Sequence, residues 1–199
     1  MNLRPSAIVL LGVNALPLAG VVFLDWQVFD VLLLYWVENV VIGAVNVLRM
    51  FRCKPTNPLQ LRDRRWNLIP FFIVHYGMFC WGHLTALLGL FATGNNYSTS
   101  LAELWSPAFI LAVIGMFASH LFSFASNFLG DGEYRRTTLR QLMRRPYGRI
   151  LVLHITIIAG GGLIQALGEP VYLLLVLVVV KTLMDVKLHA MEREKFAFE

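Results

Sequence analysis

The chain is a succession of long apolar runs separated by short polar loops. A helix needs about 20 predominantly apolar residues to cross roughly 30 Å of hydrocarbon. Six runs qualify, some interrupted by single polar residues: Pro5–Leu24, Val28–Phe51, Leu68–Ala92, Pro107–Leu129, Arg149–Leu167 and Pro170–Leu188. Pro5, Pro107 and Pro170 stand where helices begin, the position at which a missing N–H costs nothing. Pro17 lies inside the first run and predicts a kink there.

Charge alternates between the loops. Residues 25–30 carry no Lys or Arg, whereas Arg49, Arg52, Lys54, Arg62, Arg64 and Arg65 crowd the next loop. Residues 93–106 again carry none. Arg135, Arg136, Arg140, Arg144, Arg145 and Arg149 follow, then an acidic turn at Gly168 and Glu169, then a tail with Lys187, Arg193 and Lys195. The positive-inside rule then predicts an all-α, polytopic protein of the cell's inner (cytoplasmic) membrane. The same reading expects six transmembrane helices, both termini cytoplasmic, and one domain over residues 1–199. Residues 1–20 also have the layout of a signal peptide, Arg4 before an apolar stretch, and stand beside the reading of a retained first helix.

Composition narrows this further. Hydrophobic residues make up 57% and charged residues 15%, with mean hydropathy +0.64; a soluble domain would be near half apolar and a quarter charged. Disorder and a disulfide-stapled scaffold are excluded on the same grounds. The net charge of +5 does not point to nucleic acid, because the basic residues lie in short blocks between apolar runs, where the membrane reads them. In residues 131–145, Leu139, Leu142 and Met143 share a helical face ringed by Arg136, Arg140, Arg144 and Arg145. That face suits an in-plane amphipathic helix on anionic lipid headgroups, or the segment is a solvated basic loop. Cys53 and Cys80 fall in a loop and an apolar run, so no disulfide is expected.

Ionisable side chains within apolar runs are costly and mark candidate sites. Val28–Phe51 carries Glu38, Asn39 and Asn46; Leu68–Ala92 carries His75, Tyr76 and His83; Pro107–Leu129 carries Ser119, His120, Ser123 and Asn127. His154 and Gln165 lie on the fifth run, Lys181, Asp185 and His189 on or beside the last. At about 1.5 Å per residue, His75, His120, His154 and Asp185 all fall roughly 8–10 Å from the inner face. Three imidazoles and a carboxylate in one layer form a ligand set for zinc, iron or manganese. A metal there activates water for hydrolysis of a lipidic substrate, with Glu38, Lys181 and His189 as groups for proton transfer or oxyanion stabilisation. His154, Ile158, Gly161 and Gln165 form a stripe expected to face the bundle interior. Gly160, Gly161 and Gly162 suit close helix approach or a local break.

Three other readings stand beside this one. The polar residues serve as interhelical hydrogen-bonding glue, worth about 0.6–2 kcal/mol per pair. They line a proton or ion path, as in a transporter or channel, a homodimer supplying the symmetry that six helices lack. A pair of histidines ligates haem. A nucleophilic serine elbow and a phosphate-binding glycine loop are both missing.

The sequence Tyr35-Trp36-Val37-Glu38-Asn39, continuing to Gly43, Asn46, Arg49 and Met50, together with Lys181, Asp185 and His189, resembles a prokaryotic integral-membrane family of unknown function. The resemblance extends over nearly the whole chain and implies that Glu38, Asn39, Lys181, Asp185 and His189 belong to its signature. A looser similarity links Glu38-Asn39 and Asp185-x-x-x-His189 to zinc membrane hydrolases of the alkaline ceramidase and adiponectin-receptor type. Their Ser-x-x-x-His element and seventh helix are missing here, so this is an analogy of chemistry.

Overall fold

A computed structural model describes residues 21, 23, 27–54, 61–92, 107–169 and 171–196, with side chains at 61–64, 92, 108 and 185–196 excepted. All its regular elements are helices: α1 (Val28–Arg52), α2 (Leu61–Ala92), α3 (Pro107–Ser123) continuing as a π-helix (Phe124–Gly130), α4 (Glu133–Arg136), α5 (Leu139–Arg144), α6 (Tyr147–Leu167) and α7 (Val171–Phe196). Among the described residues four stretches are long and apolar enough to cross a membrane, Val28–Arg52, Arg65–Phe91, Phe109–Gly130 and Leu139–Leu167; Val171–Met184 is a shorter apolar helix. The expected run Pro5–Leu24 lies almost entirely outside the described residues.

The chain divides into two units, residues 33–151 and residues 1–32 with 152–199. In the first, α1 and α2 form an antiparallel pair held by a ladder of hydrogen bonds. Trp36 Nε1 donates to the Cys80 carbonyl (2.7 Å), Tyr76 OH to the Asn39 carbonyl (2.9 Å), and Arg65 Nη2 to the Cys53 carbonyl (2.6 Å). Gly43 lets the Tyr76 ring lie against the α1 backbone, where a Cβ would stand 2.5 Å from Tyr76 Cε1. The next segment also runs antiparallel to α1: Asn46 Nδ2 donates to the Leu142 carbonyl at 2.9 Å, and Arg149 meets Glu38 at 2.7 Å. The α3 helix runs parallel to α1, with His120 beside Glu38 and, further along both, Ser123 and Phe128 beside Arg49.

At one end of this unit Met50, Cys53, Ile69, Phe72, Tyr76, Cys80, Phe128, Leu139, Leu142 and Ile150 form one buried cluster. The π-helix ends at Gly130, and Gly132, with φ 72°, turns the chain into α4. Thr138 opens α5 with a capping box: its side chain accepts from the Gln141 amide while the Gln141 side chain accepts from the Thr138 amide. This α5 is the amphipathic helix expected from the sequence, and its apolar face is buried within the protein. Leu139 and Leu142 are buried and Met143 packs on the same cluster, because Met50, Ile69, Phe72 and Phe128 complete that face from within the protein.

In the second unit, α6 and α7 form a tight hairpin. Gly168 ends α6 with φ 81° and donates its N–H to the Ile164 carbonyl at 2.7 Å. A Cβ on Gly160 would stand 2.7 Å from the Leu173 Cα, so Gly160 serves close approach, whereas Gly162 faces open space and α6 is unbroken through the triplet. Thr156 returns its hydroxyl to the Val152 carbonyl at 2.8 Å, satisfying a buried polar group within the helix.

Candidate functional site

The α1 helix is apolar on most of its surface, and its middle holds one acidic side chain, Glu38. Two other elements reach it. Arg149, in the first turn of α6, sets Nη1 2.7 Å from Glu38 Oε2, and His120, near the end of α3, sets Nε2 3.8 Å from Glu38 Oε1. The side chains are 22%, 32% and 28% exposed for Glu38, Arg149 and His120, so all three are accessible without being free in solvent. The carboxylate joins two cationic-capable groups, one oxygen to each. Arg149 compensates its charge, and His120 stands a few tenths of an ångström beyond hydrogen-bond length.

The backbone around the cluster is fixed from α1. Asn39 is fully buried, donates Nδ2 to the Tyr35 carbonyl at 2.8 Å, and lends its own carbonyl to Tyr76; its Oδ1 is buried with no hydrogen-bond partner among the described residues. Asn46 pins α5 in place. His75 shares a hydrogen bond of 2.8 Å between Nδ1 and the Tyr147 hydroxyl, within a ring cluster that includes Phe71, Phe72, Tyr76 and Phe79. That contact fixes the imidazole and leaves its Nε2 as the nitrogen available to a further partner.

The residues singled out from the sequence fall into separate groups. Glu38 and His120 come together. His75 is held by Tyr147. His154 lies on α6, where it, Ile158 and Gln165 are exposed. Of the stripe expected to face inward, three residues are thus exposed and Gly161 is buried, next to Gly160 where α6 closely approaches α7. Lys181 lies half-buried on α7; Asp185 and His189 are carried by the same helix, with side chains outside the described set. Among the described residues no group of three or more His, Cys, Asp or Glu side chains is placed to hold a metal ion.

Arg149 and Arg49 belong to this neighbourhood, although sequence reading assigned them to the basic loops that set topology. Arg49 lies about three helical turns beyond Glu38 on the same face of α1, with Nη2 3.5 Å from Ser123 Oγ and its guanidinium 5.8 Å from the Phe128 ring centre. The shared face was a readable signal.

Among the described residues the protein is all-helical, with four apolar helices of membrane-crossing length and a carboxylate–guanidinium–imidazole cluster drawn from three helices. The chain belongs to the family of unknown function DUF6498, whose profile matches residues 1–198. No curated protein and no solved structure matches it.

Proposed function

We propose that this is a multi-pass integral membrane protein in which Glu38, His120 and Arg149 form a proton-exchange site coupled to movement of a solute or ion. Six spans with cytoplasmic termini, in the inner membrane, are the topology of this reading. It is supported by the loop charges and by the alternating directions of α1, α2, α3 and α6. The observation that carries the function is the placement of Glu38 between a guanidinium and an imidazole in the middle of an apolar helix. A carboxylate within an apolar helix is retained for work or for a fixed partner, and here one partner is an imidazole, a group that can take up and release a proton. Closing the 3.8 Å gap to His120 lets a proton pass between Oε1 and Nε2 while Arg149 holds the other oxygen. The test is proton flux in proteoliposomes carrying a pH-sensitive dye. Wild type should carry protons down an imposed gradient and Glu38→Gln should not; equal flux in both would remove the proposal.

A second reading, a metal-dependent hydrolase of a lipidic substrate with His75, His120, His154 and Asp185 as ligands, draws support from one feature. The Tyr147 hydroxyl orients His75 through Nδ1, the arrangement that metal-ligating imidazoles commonly have. Zinc, iron and manganese per chain, measured on protein purified without a histidine tag, separate the two readings.

A further inference from the structure

Charge around Glu38 does not balance. Arg149 is compensated by Glu38 at 2.7 Å. Arg49 has no carboxylate within ion-pair distance among the described residues. Glu133, which bears on it electrostatically, is held by Arg145 at 2.6 Å. Arg49 is half-buried, its Nη2 reaches only Ser123 Oγ at 3.5 Å, and its Nε is buried with no hydrogen-bond partner among the described residues. Arg49 and Arg149 both lie within electrostatic reach of His120. Arg149 and His120 therefore share Glu38, Arg145 and Arg49 share Glu133, and the Arg49 fork beside the Ser123 hydroxyl is under-used. Withdrawing a guanidinium from water without a counter-charge is unfavourable, and the balance is restored by an anion.

We propose that Arg49, Ser123 and His120, with Arg149 beside them, bind a phosphate-type oxyanion, either the headgroup of a lipid or a free solute. The arginine fork and the hydroxyl match the spread of acceptor oxygens on such a group, and arginine is the side chain best suited to bidentate contact with it. The site deepens the proton-exchange reading, and rests on it for its role: the anion is what moves, or what is held, as Glu38 and His120 exchange a proton.

The experiment is calorimetric titration of the full chain in neutral detergent. The probes are inorganic phosphate, dihexanoyl phosphatidylglycerol, and dihexanoyl phosphatidylcholine as the headgroup without net charge. Saturable binding of phosphate identifies a free solute, and binding of phosphatidylglycerol alone identifies a lipid headgroup. In either case Arg49→Gln should weaken binding at least about tenfold, while Arg144→Gln, an exposed arginine on α5, should leave it unchanged. Wild-type protein that binds neither anion, or binds phosphatidylcholine equally well, overturns the proposal; so does folded Arg49→Gln protein that binds as tightly as wild type. Because the titration needs no transport, anion binding without proton flux would sink the transport reading alone, and flux without anion binding would sink the oxyanion site alone.

Discussion

Replacing Gly43 by alanine tests the α1–α2 contact that sets the Glu38 segment. The added Cβ would lie 2.5 Å from Tyr76 Cε1, 2.9 Å from Cδ1 and 3.4 Å from Cζ, against ordinary contact distances near 3.5–4.0 Å. The ring has little freedom to retreat. Its hydroxyl is bonded to the Asn39 carbonyl at 2.9 Å, and Phe72 stacks on it with centroids 4.9 Å apart. Such overpacking costs about 1–3 kcal/mol. Against it stands the gain from removing a mid-helix glycine, about 0.5–1 kcal/mol. Gly77 supplies the control, since a Cβ there meets nothing within 4 Å. Gly77→Ala should stabilise by the helix term alone, so the difference between the two variants isolates the steric term of about 1–3 kcal/mol. The assay is unfolding by SDS in mixed micelles, followed by tryptophan fluorescence. Equal midpoints for Gly43→Ala and Gly77→Ala would refute the packing of Tyr76 against Gly43.

Three further outcomes follow from the same contacts. Asn46→Ala removes the buried bond to the Leu142 carbonyl and should cost about 1–3 kcal/mol in the same unfolding assay; an unchanged midpoint would mean that α5 is not docked on α1. Arg145→Gln breaks an ion pair whose side chains are 46% and 34% exposed, and should change stability by less than about 0.5 kcal/mol. Burial pushes the Cys53 thiol up, opposed more weakly by Arg65. A raised thiol has less thiolate at a given pH, so iodoacetamide at pH 8 should label Cys53 far more slowly in native protein than in SDS, read by peptide mass spectrometry. Equal rates would show the residue to be open.

The helices were readable from the apolar runs because length and composition carry that signal directly. Residues 28–52, 107–130 and 147–167 differ from the expected spans by only a few positions. Leu61–Ala92 starts earlier than expected and continues through Pro70. Pairings between helices were harder to read. Depth arithmetic assumed that the basic segment stays outside, which put Arg149 at the membrane edge. In fact α5 runs back along α1, so Leu142 is already level with Asn46 and Arg149 reaches Glu38, about 12 Å further along that helix. The turn depends on burial of Leu139 and Leu142 against residues from α1, α2 and the π-helix, a long-range fit that local pattern does not encode. The tyrosine that holds His75 was missed for the same reason: Tyr147 lies 72 positions away and has no local mark of its role.

Proton exchange at Glu38, in its contact with His120 and Arg149, is the step on which the proposed function turns. Infrared difference spectroscopy between acid and alkaline pH, on wild type and Glu38→Gln, reads that event at the carboxyl group. A band pair for carboxylic acid and carboxylate that is present in wild type and missing in Glu38→Gln is the predicted result. Identical difference spectra from the two proteins would contradict it.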